Sequence, residues 1–279
     1  MERVSIDKVL LDPVTMNEAV YRVSMMLEEP RERAAHVVTM NAQFVEIAHQ
    51  EDRFADLLRR ADLSVADGLS LVWASRWLGK FVPERVAGAD LMVRLCETAA
   101  ALGKTVYFLG GSPGAASCAA SRLSGEFPLL SIVGVDCPPN GFLDNPDECF
   151  RVASRIESAR PDLLFVGLGA PKQEYWIERY AYLPAKVMMG IGGSFEFLAG
   201  FRKRAPLVIQ KIGFEWFWRL CMEPRRLWKR YLVGNTIFLF VVFRQWWNQS
   251  LTGAIYSPNE GHATAGSQAV TAKVAQTEN

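Results

Sequence analysis

The sequence predicts an α/β fold, a Rossmann-like parallel sheet with helices on both faces, followed by a C-terminal helical appendage that associates with a membrane. Three observations carry this. Six short runs are almost continuously apolar, as strands covered on both faces must be. Helical patterns separate them, and strand alternating with helix implies parallel βαβ units. From about residue 206 the alternation stops, and only helical periodicity continues.

The strand runs are "AAHVVTM" (34–40), "LSVA" (63–66), "TVYFLG" (105–110), "LSIVGV" (130–135), "DLLFVGL" (162–168) and "KVMMGIG" (186–192). Helices are expected near 15–29, 41–60, 68–78, 88–102, 113–124, 146–159 and 171–181. Pro206 and Pro224 stand where helices begin, since proline's missing N–H costs nothing in a first turn. The chain therefore divides into an α/β core (1–205), a basic, Trp-rich appendage (206–249) and a tail (250–279) whose small polar residues predict disorder. The apolar run 231–243 is too short to cross a bilayer, which takes about twenty residues, so it is expected to lie on a membrane or against protein.

Composition narrows the class. Half of the 279 residues are apolar, enough for a large core. Five cysteines without CxxC spacing argue against zinc and against a disulfide framework. The charged N-terminus does not read as a signal peptide, which predicts a cytoplasmic protein. The net charge of +1 conceals an asymmetry: residues 201–230 hold nine Lys or Arg against two acids, a local +7, so the rest carries −6. Five of eight tryptophans lie at 216 or beyond. Basic residues with aromatics suit an anionic membrane surface, and no base-reading motif points to nucleic acid.

In a doubly wound sheet ligands bind beyond the carboxyl ends of the strands. That rule selects Thr39 and Asn41, Asp67 and Gly68, Gly110 and Gly111, Asp136, Gly169 with Pro171, Lys172 and Gln173, and Gly192 to Glu196. "FLGGSPGAA" and "GIGGSF" would let backbone N–H groups approach a phosphate, although glycine also serves βα turns for geometry alone. Asp67 has two readings: a turn residue that caps the next helix before a glycine of positive φ, or a carboxylate at the mouth of the sheet. Asn41 serves as a helix cap or a ligand group, Arg85 as a surface ion pair or a substrate contact, and Lys172 with Glu174 as a solvated helix start or part of the site. Trp216, Trp218 and Trp228 suit core, a subunit contact or a membrane.

There is no GxSxG, GxxxxGK[ST] or HExxH, the three histidines are scattered, and "GLGAPKQE" departs from the dinucleotide fingerprint. What remains suits sugar transfer from a nucleotide diphosphate, which needs a base for a hydroxyl proton and positive groups for the departing diphosphate. No DxD metal motif is present, so cationic side chains and helix dipoles would replace a metal; no cofactor is expected.

The stretches "VVTMNAQFV", "ADLSVADGLSLV", "ERVAGADLM", "VYFLGGSPG", "PDLLFVGLGAPKQEYWI", "GIGGSFEFLAG" and "RAPLVIQKIGFEWFWRLCMEPRRLWKRYL" resemble, in order, the motifs of the WecG/TagA/CpsF glycosyltransferases, over about residues 1–245. The resemblance implies inverting, metal-independent transfer from a UDP-sugar to a polyprenyl-diphosphate-linked saccharide at the cytoplasmic membrane face, in surface polysaccharide synthesis. It implies Asp67 as general base, with Thr39 in the same pocket and Asn41 beside it. Gln173 and Arg85 would contact substrates, and Arg219, Arg226 and Arg230 of the appendage would stabilise the diphosphate. Glu196 stands where the family often has Asp. The sugar, the acceptor glycan and any homo-oligomer stay open. The alternative is a non-catalytic nucleotide-binding scaffold for a polysaccharide-assembly complex at the membrane.

Overall fold

The structure, a computed structural model, describes residues 2–203, 205–206, 209 and 214–255, less the side chains at 219, 226, 227, 229–231 and 252–255. Its order is β1 (Val4–Ile6), β2 (Val9–Leu11), α1 (Met16–Glu28), β3 (Ala35–Met40), α2 (Ala42–Gln50), α3 (Asp52–Arg59), β4 (Leu63–Ala66), α4 (Leu69–Trp77), α5 (Gly88–Leu102) and β5 (Thr105–Gly110). There follow α6 (Ala115–Glu126), β6 (Ser131–Asp136), α7 (Pro146–Ala159), β7 (Leu163–Gly167), α8 (Lys172–Tyr180), β8 (Val187–Gly190), α9 (Ser194–Leu198), α10 (Glu215–Met222) and α11 (Pro224–Ile255).

Strands β3 to β8 form one parallel sheet in the order β4-β3-β8-β7-β5-β6. The chain lays β3 and β4 at one end, crosses to β5 and β6 at the other, and fills the centre with β7 and β8. The continuous apolar runs follow from two covered faces. Val37, Leu163, Phe165, Val187 and Met189 pack in one core with α1, α5 and α6. Their neighbours Val38, Leu164, Val166 and Met188 point to the opposite face, against α2 and α3 on one side and α7 and α8 on the other. Residues 1–246 make one compact unit and 247–279 a second.

The structure departs from the sequence reading in five places. The helix expected over 41–60 is two, because Glu51 is extended (φ −129°, ψ 103°) between α2 and α3. The strand over 130–135 is real, yet it is not covered on both faces: β6 is an edge with every other residue exposed, and Leu129 before it is 80% exposed. The hairpin β1–β2, absent from the sequence reading, buries Ile6, Val9 and Leu11 against the β3–β4 end of the sheet. The five-residue helix α9 was also not anticipated. Helix α11 starts at Pro224 as expected but continues through Ile255, beyond Ser250 where the tail was expected to begin. Residues 256–279, and the helix expected directly after Pro206, lie outside the described residues.

Run 231–243 packs one face on protein. Phe238, Val241 and Val242 are buried among residues of β2, α2 and α3, while Leu239, Phe240 and Phe243 are exposed. Gln245 fastens α11 further, accepting from the Asp7 N–H at 2.7 Å. Among the described residues no helix is long and apolar enough to cross a membrane.

Candidate active site

A cavity of about 1100 Å³ opens beyond the carboxyl ends of the strands. Its wall takes residues from the ends of β3 (Thr39, Asn41), β4 (Asp67), β5 (Gly110, Gly111), β7 (Gly169, Lys172, Gln173) and β8 (Gly192, Glu196), with Arg85 from the loop before α5. These eleven residues, all singled out in the sequence, thus meet in one cavity. The side chains of Arg219, Arg226 and Arg230 lie outside the described set.

Asp67 follows β4 directly. Its N–H donates to the Met40 carbonyl at 2.7 Å, which sutures the ends of β3 and β4. Its carboxylate Oδ1 accepts the Gly88 N–H at 2.8 Å, and Gly88 is the first residue of α5. A helix N-terminus is a favourable seat for a carboxylate. Neither part of the turn reading survives: Gly68 has a φ of −97°, and α4 carries no side-chain cap. The acid is held across the cavity by a helix that begins twenty-one residues later.

Thr39 lies beneath that contact. Its hydroxyl donates to the Gly190 carbonyl at 2.9 Å in a buried setting. A Cβ on Gly88 would stand 3.1 to 3.2 Å from the Thr39 side chain, so glycine lets α5 settle this close. Thr39 braces β3 to β8 and supports the α5 terminus that holds Asp67. Asn41 caps α2, its Oδ1 accepting the Gln43 N–H at 3.0 Å. Arg85 is no loose surface pair: its side chain is 18% exposed, Nε donates to the Asp67 carbonyl at 2.7 Å, and Nη2 donates to Glu215 Oε2 at 2.8 Å.

The glycine turns do not simply present their amides to a ligand. Gly111 N–H donates to Gly167 O, Ser112 N–H to Glu196 Oε1, and both Gly169 and Gly192 N–H to Gln173 Oε1 at 3.1 and 2.9 Å. Gln173 is buried, lines the cavity and joins two βα turns through its Oε1. Its Nε2 donates to Glu174 Oε1 at 2.7 Å. Glu174 corrects the solvated-start reading, because it is fully buried. Burial pushes its carboxyl up to about 7 against the relief given by Gln173. Lys172 is exposed, as that reading had it. Glu196 is buried, and among the described residues its Oε2 accepts no hydrogen bond. A Cβ added to Gly192 would meet nothing within 4 Å, so this turn faces open space.

Sequence reasoning missed Glu215, the partner of Arg85, although it lies in the quoted "GFEWFWRL". It also missed that Gln173 and Glu174 share a helix face with Trp176, Ile177 and Tyr180, a spacing of three, four and seven that marks the buried side. Among the described residues no group of three His, Cys, Asp or Glu is placed to hold a metal ion.

A parallel sheet with a large cavity beyond the carboxyl ends of its strands, roofed in part by C-terminal helices, defines a doubly wound α/β protein, the kind that binds its ligands at that edge. The family model described as "Glycosyl transferase WecG/TagA/CpsF family" matches residues 4–252, and the chain belongs to that family. It is similar to a Staphylococcus aureus (strain MRSA252) protein named N-acetylglucosaminyldiphosphoundecaprenol N-acetyl-beta-D-mannosaminyltransferase. The two are 33% identical over 241 residues, 86% of this chain and 92% of the relative. A Bacillus spizizenii (strain ATCC 23059 / NRRL B-14472 / W23) protein of the same name is 35% identical over 201 residues, 72% of this chain and 76% of its own.

Proposed function

We propose that this protein transfers a sugar, N-acetylmannosamine by the names of its relatives, from a UDP-sugar to N-acetylglucosaminyl-diphosphoundecaprenol, with inversion and without a metal. The observation that carries the reading is the Asp67 carboxylate, fixed on the Gly88 N–H at the edge of a cavity large enough for both substrates.

In this reading an acceptor hydroxyl attacks the anomeric carbon opposite the UDP oxygen. Its proton passes to Asp67, the new C–O bond forms as the bond to UDP breaks, and the electron pair leaves on the diphosphate. Arg85, Lys172 and Arg202 line the cavity and supply positive charge for the departing group; Arg219, Arg226 and Arg230 add to it from the appendage. Thr39 and Gln173 act by holding the β3, β7 and β8 ends in register, and Asn41 by fixing the start of α2. Glu196 Oε2 offers a buried acceptor to the nucleoside, Gly192 keeps the floor open, and Gly110 and Gly111 form the tight turn beside it. The protein works at the cytoplasmic face, held to anionic lipid by its basic segment and by exposed aromatics such as Phe217, 49% exposed, and Trp228, 47% exposed.

The test is UDP release from a panel of UDP-sugars with the lipid-linked acceptor, in chelator. Asp67→Asn keeps an oxygen for the Gly88 N–H, so it should fold and bind UDP while turnover falls by roughly 10²- to 10⁴-fold. Unchanged turnover in that variant, or a requirement for divalent cations, would overturn the proposal.

A further inference from the structure

An apolar stripe leaves the cavity along the seam between α4 and α11. On α4, which begins two residues after Asp67, Leu69 and Trp73 line the cavity, and Trp77 follows one turn further on. On α11, Leu239 lines the cavity and Phe243 follows one turn on. Residues four apart share a helix face, and each such step advances about 6 Å. The two rows converge on Trp246, whose ring lies 5.9 Å from that of Trp77 and 5.7 Å from that of Phe243. Trp73, Trp77, Leu239 and Phe243 are 49%, 47%, 58% and 47% exposed. Scattered surface apolars need no explanation, but a row of them continuous with the cavity that holds Asp67 does.

From this continuity we infer that the α4–α11 seam is the seat of the acceptor's isoprenoid chain, a reading that rests on the lipid-linked acceptor proposed above. An acceptor of that kind has a diphosphate and sugar that must reach Asp67 and an apolar tail that must leave the same cavity. The seam begins at the cavity wall beside Asp67 and runs outward in aromatic and aliphatic side chains. A bilayer contact alone would not require Leu69, Trp73 and Leu239 to form part of the cavity wall. The aromatics give a flat, rigid track that costs little side-chain entropy to order on binding.

The experiment compares farnesyl diphosphate with methyl diphosphate, the same head group with and without a chain, by calorimetry on the full chain without membranes. The seat predicts at least roughly tenfold tighter binding of the farnesyl compound. Trp77→Ser and Phe243→Ser should each remove most of that difference and leave UDP binding unchanged. On the wild-type protein, a farnesyl diphosphate with a photoreactive chain end should label residues within 69–77 or 239–246. Equal affinity for the two compounds, or labels confined to other segments, would overturn the inference. So would serine variants that keep the chain-length preference but lose adhesion to anionic vesicles, because the seam would then be a bilayer contact. Chain-length preference without any sugar transfer would instead sink the proposed reaction and leave the seat standing.

Discussion

Arg85 and Glu215 stand 130 residues apart in sequence and 2.8 Å apart in space, so the loop before α5 is tied to helix α10. Both side chains are only 18% exposed. The same guanidinium reaches the Asp67 carbonyl through Nε, and one side chain therefore connects the strand end bearing the acid with the C-terminal helices.

Removing Arg85 should leave the Glu215 carboxylate largely buried without this cation, and removing Glu215 should leave Arg85 with its Asp67 carbonyl contact but without its carboxylate. Glu215→Ala and Arg85→Ala should each cost about 1–3 kcal/mol, a shift of a few degrees in Tm. The double variant should cost clearly less than the two singles combined, because the pair is lost only once. Additive losses in urea unfolding would show that the contact contributes nothing.

Thr39 gives a way to separate a brace from a chemical group. Thr39→Val keeps the shape and withdraws the donor from the Gly190 carbonyl, for about 1–3 kcal/mol. Thr39→Ser keeps the donor and removes only the methyl that packs under Gly88, for about 1 kcal/mol. Turnover should follow the same order, with the serine variant close to wild type and the valine variant impaired. Full activity in the valine variant would exclude the hydroxyl from any role in holding the site.

The glycines divide into two kinds. At Gly110, φ is +97° and an added Cβ would lie 2.7 Å from the Gly167 carbonyl oxygen, so Gly110→Ala should cost about 3 kcal/mol or more. At Gly192, φ is +54° but the Cβ would enter open space, so Gly192→Ala should cost only about 1–2 kcal/mol while weakening heat stabilisation by UDP. Equal stability losses with intact UDP binding would mean that Gly192 does not face the ligand.

The fold was legible because every central strand feeds two cores. Val37 and Val38, or Leu164 and Phe165, point to opposite apolar faces, and the resulting runs are hard to mistake. Legibility failed where the run was short or one face was bare. Strands β1 and β2 have three residues each, too few for a period. Strand β6 has an apolar run like the others, and only its place at the edge, which pairing decides, leaves Val133 and Val135 38% exposed. The site positions were legible from the strand ends, but their roles were not. Gln173 and Glu174 read as polar and hence solvated, while long-range packing put them inside; the mate of Arg85 lay in a segment read for its positive charge.

Glu174 makes the most direct demand on pH. Burial raises its carboxyl from the ordinary 4.5 to about 7, since no solvent supports the charge and Gln173 offsets only part of the penalty. The strands packed beside α8 bring no charge to relieve this: β7 and β8 contain no ionisable side chain, and His36 of β3, pushed down to about 4 by burial, is neutral at pH 7. From α3, Arg53 stacks 5.0 Å from the Tyr175 ring, and Arg60 beyond its end pairs with Glu178. Between pH 4.5 and 7 the folded state keeps a proton that the unfolded chain releases, so the contribution of Glu174 to stability falls as pH rises and is constant above about 7. The fall is on the order of 3 kcal/mol. Glu174→Gln still offers an oxygen to Gln173 Nε2 and cannot ionise. Urea midpoints of variant and wild type should therefore diverge in the variant's favour across that window and run parallel outside it. A difference that stays constant from pH 4 to 8 would show that this carboxyl does not carry a raised pKa in the folded protein.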